Sequence, residues 1–441
     1  MRRFLNNFVL MMALLPAVTA SSQDASSWKP TETEAANASK AAKFSDAERL
    51  LKQNLKLAEK LGPKDPRRPR TIFDLAEVYR AEGKYNDALP LYEQALQIYT
   101  SLYGAEATEI SDVQNGEAEL YKSLNDYSHA EPLLTNALAL RSKLLKLGDP
   151  DIAQSQNDLG ELYTATGAFE KAEPLLLQAL ASRQKSPGPE SADTAQTLEA
   201  LGLLYSKTNR PKQAEDSYRQ AVSIYGKTLG GNHPDYANAL ENLALAYAAR
   251  GDFVNAEPLL ERVLDIRRTI FGPEHRDVAA SLDNLAALKR SEHMPDAAAP
   301  LYEQAIAIWE KVIGPDNQDL APDLNNLAAI YETSKDKGRA EPLLLRAVAI
   351  DEKALGPESP ELGTDLNNLG LLYLLTKRLD EAQKTYQRAL SIRIKALGDH
   401  DPAVAQTMNS YAIVLRNLNR NQEANSVEQQ ARAILSGRAG K

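Results

Sequence analysis

The chain has 441 residues, of which 25% are charged and 43% apolar, with no cysteine and a formal charge of −9. Without thiols, a disulfide framework and any Cys-based metal or redox site are excluded. A net acidic chain is repelled by phosphate backbones and anionic lipid surfaces, so no nucleic-acid partner is expected. Aromatic residues make up only 6% while Ala and Leu are abundant, a mixture suited to helices packed closely through small side chains.

Residues 1–20 read as a targeting segment. Arg2 and Arg3 give a positive start, Phe8 to Leu15 is apolar but short for a membrane span, and Val18-Thr19-Ala20 offers small residues for a peptidase. A secretory signal cleaved near Ala20 is expected. It places the mature chain, at −11, in the periplasm or outside the cell without stable membrane insertion. An uncleaved anchor is the alternative. Residues 21–43 carry Ser, Ala, Thr and charge without apolar periodicity and are expected to form a disordered linker. Residues 44–62, with Ala47, Leu50, Leu51 and Leu55 on one face, read as a capping helix.

From residue 71 to 436 one pattern recurs every 42 residues, nine times without a gap. Its first column reads Tyr79, Tyr121, Tyr163, Tyr205, Tyr247, Lys289, Tyr331, Tyr373 and Leu415. Three residues earlier only Ala or Gly occurs, from Ala76 and Ala118 through Gly160 and Gly202 to Gly370 and Ala412, and Leu usually precedes it. This spacing marks the buried stripe of a helix A that another helix approaches closely. Gly or Asn at 83, 125, 167, 209, 251 and 419 then ends it. Helix B follows with Ala88, Ala130, Ala172, Ala214, Ala256, Ala298, Ala340, Ala382 and Ala424, and a second small column seven residues on. Glycines from Gly104 to Gly398 end helix B, and Asp149, Ser191, His233, His275, Asn317, Ser359 and Asp401 stand where an N-cap begins the next helix A. Pro90, Pro132, Pro174, Pro258, Pro300 and Pro342 fall inside helix B, where proline either bends the helix or delays its start. Residues 437–441 read as a disordered tail.

These columns resemble the tetratricopeptide signature. The 42-residue period, Leu-Asn-Asn-Leu-Ala at Leu324–Ala328, Ala-Glu-Pro-Leu-Leu at Ala340–Leu344 and Leu-Gly-Pro-Glu-Ser-Pro-Glu at Leu355–Glu361 resemble the kinesin light chain subtype. The heptad segment of kinesin light chains is missing and the amino terminus reads as a secretion signal, so a secreted bacterial form is expected and motor adaptation is not implied. The resemblance implies an all-α fold, a right-handed α-solenoid of nine helix-turn-helix repeats at residues 71–436 behind the capping helix, with helices A lining a concave groove that holds extended peptides.

By that resemblance the groove-facing columns lie six, five and two residues before the Tyr column. They include Asn157, Asn325, Asn367 and Asn409, then an Asn ladder of Asn242, Asn284, Asn326 and Asn368, then Glu77, Glu119 and Glu161 followed by Leu203, Leu245 and Leu371. A carboxamide pairs with both the N–H and C=O of an extended backbone, so the ladder suits a peptide; equally, the same groups can bond neighbouring helices. The third column suggests an acidic half and an apolar half, and apolar patches of this kind mark interaction sites.

Chemistry fits poorly. His129, His233, His275, His293 and His400 lie in different repeats, with His233 and His275 at N-caps, and cannot converge on a metal. Neither a phosphate loop nor a nucleophile elbow is present. No catalytic residue, metal or cofactor is expected. The chain reads as a non-enzymatic scaffold binding an extended peptide or partner segment; the alternative is a structural protein that self-associates through its ends or convex face.

Overall fold

The computed structural model describes residues 22–40, 43–60, 62–333 and 337–437. The proposed signal at residues 1–20 and most of the tail lie outside them. The chain divides into two compact units, Met1–Arg250 and Gly251–Lys441. In the first, α1 (Ser22–Lys40) pairs with α2 (Phe44–Lys60), α3 (Arg67–Ala81) with α4 (Tyr85–Tyr103), α5 (Thr108–Ser123) with α6 (Tyr127–Leu144), α7 (Pro150–Ala165) with α8 (Phe169–Lys185) and α9 (Ala192–Lys207) with α10 (Pro211–Thr228); α11 (Pro234–Ala249) is its last helix. The second opens with α12 (Phe253–Phe271) and continues as pairs α13 (Arg276–Ser291) and α14 (Pro295–Ile313), α15 (Ala321–Thr333) and α16 (Ala340–Leu355), α17 (Pro360–Leu375) and α18 (Leu379–Leu397), and α19 (Pro402–Asn417) and α20 (Asn421–Leu435). No strand occurs among the described residues.

The columns define these helices physically. All nine alanines that open helix B are at most 1% exposed. The small column of helix A faces a large residue sixteen positions on: a β-carbon added at Gly160 would meet Leu176 at 2.7 Å, and one at Gly202 would meet the Tyr218 ring at 2.5 Å. Helix A ends where Gly83, Asn125, Gly167, Asn209, Gly251 and Asn419 take positive φ, joined by His293 and Lys377 at the same place in the repeat. The caps are formed: Asp149, Ser191, Asn317, Ser359 and Asp401 accept backbone N–H groups, and the Nδ1 atoms of His233 and His275 accept from Asp235 and Asp277 at 3.2 and 3.1 Å.

Two expectations change. Residues 22–40, read as part of a disordered linker, form α1. That helix has no apolar stripe of its own, but Ala35 packs with Ala47, Leu50 and Leu51 of α2, so the capping helix has a partner and a tenth hairpin precedes the nine. Tertiary packing supplies what local pattern does not. The prolines resolve both ways. In α4, α6, α8, α12 and α14 the helix runs through the proline. Before Pro342 a 3-10 turn at Lys337–Arg339 delays α16 to Ala340. All six prolines are exposed, so water can solvate the carbonyl that each leaves unpaired.

Candidate interaction surface

Successive A helices touch directly, α3 with α5, α7 with α9 and α9 with α11 in the first unit, α15 with α17 and α17 with α19 in the second. Side chains six and five residues before the Tyr column therefore meet across a seam, and they do so at an offset of 43 residues. Asn115 Nδ2 donates to Asp158 Oδ2 at 2.6 Å, Asn242 Nδ2 to Glu199 Oε1 at 2.9 Å, and Asn368 Nδ2 to Asn325 Oδ1 at 3.1 Å. Asn325 also donates to Asp365 at 2.6 Å, and Arg290 donates to Asn326 Oδ1 at 2.8 Å. Asn157 is fully buried and donates to Glu161 at 3.0 Å. Asn284, Asn367 and Asn409 are half-buried. Much of the carboxamide ladder thus bonds helix to helix, and burial of these polar groups is offset by bonds made within the stack.

The acidic half is compensated from within. Arg80, buried one turn after Glu77, forms an ion pair with it, and Tyr92 donates its hydroxyl to the same carboxylate. Lys122 Nζ lies 2.6 Å from Glu119 and 3.6 Å from Glu161. Burial works against the Lys122 ammonium, yet Glu119, Glu161 and Asp158 together hold its pKa above the usual lysine value. Asp158 is pushed up to about 6 by burial and by the two glutamates, against the pull of Lys122. Helical spacing explains the correction, because a cation three residues after an acid reaches it on one face. The apolar positions stay open: Leu203, Leu245, Leu371 and Ile413 are 43%, 42%, 38% and 46% exposed among buried neighbours.

Two sets of polar contacts were not read from the sequence. Arg141, Arg183, Arg267 and Arg393 sit at multiples of 42 in helix B and are 5%, 2%, 6% and 6% exposed. Each crosses to the next helix A, reaching Ser155 at 2.8 Å, Thr197 at 2.7 Å, Ser281 at 2.8 Å and Thr407 at 2.6 Å, always fourteen residues on. Each also bonds a backbone carbonyl at the start of that helix, Asp151, Asp193, Asp277 or Ala403. Where the arginine is absent its partner changes too, as in Tyr99 with Val113 and Tyr225 with Ala239. The signal was the paired spacing. The second set belongs to the tyrosines, whose cations come from three different positions of the repeat. Lys84, Lys171, Arg210, Arg219, Arg339 and Arg378 lie 5.4, 4.8, 4.4, 5.7, 4.4 and 4.3 Å from the ring centroids of Tyr79, Tyr163, Tyr205, Tyr247, Tyr331 and Tyr373. At the break in the column, Lys289 pairs instead with Glu257 and Glu292.

Among the described residues no three His, Cys, Asp or Glu side chains could hold a metal ion, and no helix is long and apolar enough to cross a membrane.

Stacked hairpins with small-residue seams and a periodic outer face define a helical-repeat scaffold for protein–protein interaction. The chain belongs to the tetratricopeptide repeat family: the family model matches residues 35–101, 69–143, 151–227, 215–269, 235–311, 277–353, 325–395 and 361–436. No curated protein matches it. It is similar to a Podosopora anserina protein assigned to the kinesin light chains with nearly identical TPR-like repeats, at 29% identity over 47% of this chain and 98% of that one, TM-score 0.41. It is also similar to a Rap protein solved with competence and sporulation factor, at 15% identity over 85% of this chain and 99% of that one, TM-score 0.50. A third is a signal transduction ATPase with a tetratricopeptide repeat sensor from Pyrococcus horikoshii, at 14% identity over 80% of this chain and 53% of that one, TM-score 0.59. The last two likenesses speak to the fold alone.

Proposed function

We propose that the A-helix face binds an extended segment of a partner protein, anchored by apolar side chains of that segment. One observation carries this reading: leucine or isoleucine recurs at one register position, exposed, in neighbouring A helices of each unit, Leu203 and Leu245 in the first and Leu371 and Ile413 in the second. A soluble chain gains nothing from open apolar groups in register unless something covers them. The asparagines play a supporting part in this reading. Their bonds across the seams hold the face rigid.

The test is selection from a displayed library of extended peptides, followed by titration of the enriched peptides. The wild-type chain should enrich sequences with an apolar residue in common. Because a buried Leu contributes about 1.5–3 kcal/mol, Leu203→Ser with Leu245→Ser should weaken first-unit peptides by at least roughly tenfold with helicity unchanged. Peptides bound equally by both proteins, or no enrichment at all, would refute the reading.

A further inference from the structure

The seams on either side of the hairpin α15–α16 differ from the others. The seam before α13 and the seam before α19 each hold a buried arginine against a hydroxyl, Arg267 with Ser281 and Arg393 with Thr407. At the two seams between them the same paired positions read Trp309 with Asp323 and Asp351 with Asp365. Trp309 Nε1 donates to Asp283 Oδ2 at 2.8 Å, and the Asp283 and Asp323 carboxyl groups stand within hydrogen-bonding reach of each other. Asp351 and Asp365 are 4% and 2% exposed and stand within hydrogen-bonding reach of each other. Asp283 Oδ1, Asp351 Oδ1 and Asp365 Oδ2 are buried without a donor from any other group. Two carboxyl groups in contact without a cation cannot both ionise at low cost; one proton between them satisfies both.

We propose that α15–α16 is a proton-gated joint, clamped on both sides by aspartate pairs that each hold a proton, and that loss of those protons frees the hairpin from its neighbours. Among the described residues the surroundings offer no other source of neutralisation. Tyr302 of α14 lies near Asp283 and Asp323, and Arg290 of α13 spends its charge on Asn326. Glu361 of α17 adds negative charge beside Asp351 and Asp365, Asn325 of α15 donates to Asp365, and Arg393 of α18 turns to Thr364, Ala403 and Thr407. The hairpin is also the irregular one: α15 has 13 residues, and both its helices follow 3-10 turns, at Gln318–Leu320 and Lys337–Arg339. Weak helix starts lower the cost of local opening.

Burial raises Asp323 and Asp365 to about 7 and Asp283 to about 6, with the partner aspartate adding to Asp323 and Asp365, and burial alone raises Glu332 on α15 to about 7. The folded state therefore keeps protons that the unfolded chain releases near 3.8 or 4.5. The stabilisation is complete below those values and is lost as pH rises through 6 to 7.

Hydrogen exchange on the full chain at about pH 5.5 and about pH 8, corrected for the intrinsic rate, tests this. Peptides within 317–356 should lose at least roughly tenfold protection at the higher pH, while peptides of α19 and α20, whose carboxyl groups Glu423 and Glu428 are held low by arginines, change far less. Asp323→Asn with Asp365→Asn, which keeps the neutral shape, combined with Glu332→Gln, which removes the other raised carboxyl of α15, should remove the difference. Equal protection at both pH values, or a pH response that survives in the Asn variant, overturns the proposal. Should that variant misfold, infrared spectra of a chain carrying Glu332→Gln and Asp158→Asn, which remove the other carboxyls raised into this range, decide: a protonated-carboxyl band present at the lower pH and lost at the higher supports it, and its absence at the lower pH overturns it.

Discussion

Arg183 is 2% exposed and bridges three helices, reaching Thr197 and the Asp193 carbonyl on α9 and Gln154 on α7. A guanidinium has five donors and no way to lose its charge at ordinary pH, so it survives burial only when those donors are met. Arg183→Met fills similar space but leaves the Asp193 carbonyl and the Thr197 hydroxyl short of a donor. It is expected to cost about 2–4 kcal/mol, read as a drop in the urea midpoint with unchanged slope. Adding Thr197→Val should recover part of that loss, because it removes one of the stranded groups. The arginines were legible as a 42-residue column, yet charge in a helix usually means solvent, and single residues gave no reason to think otherwise. Only the coupling of Arg with Ser or Thr fourteen positions later distinguishes a bridge from a solvated face. By the same logic Glu77 and Glu119 read as open acids in a column of their own, and only the cation three residues on, Arg80 or Lys122, closes them.

Helices follow the columns closely because each column answers a steric or conformational demand. Positive φ fixes the turns, side-chain acceptors fix the starts, and alanine fixes the distance between partners. His293 and Lys377 adopt the left-handed turn conformation without the expected Gly or Asn, so the hairpin imposes the turn even where the residue resists it. The first helix escaped reading for the opposite reason: Ser22–Lys40 has no stripe, and docking on α2 makes it a helix. The prolines illustrate a tolerated cost. Pro174 stands in the second turn of α8, exposed, with no N–H to offer the Glu170 carbonyl. Pro174→Ala should lengthen the bonded ladder and raise stability by about 1–3 kcal/mol without altering the helix content seen by circular dichroism. A lower urea midpoint would mean that the proline ring makes contacts worth more than the missing bond.

Across the whole chain stability is close to a sum over repeats and the seams between neighbours. The family and the nine 42-residue hairpins were readable because that sum is written in one repeating register, which the hairpin of α1 and α2 does not share. The binding face was less readable, since a polar side chain on a helix serves a neighbour or a ligand equally well until its partner is known. The seams have one more consequence. The array looks as though any 42-residue block could be cut out and the ends rejoined, but the joints are keyed. Excision of Pro150–Ser191 would bring Arg141 opposite Thr197, a hydroxyl in place of a hydroxyl. Excision of Ala192–His233 would bring Arg183 opposite Ala239, a methyl group with nothing to accept from it. The first shortened protein should melt cooperatively near the parent, and the second several degrees lower, a difference that scanning calorimetry measures directly. Two cuts of equal length would then separate by lock and key alone, and the order of the blocks would prove to be information that the chain cannot lose.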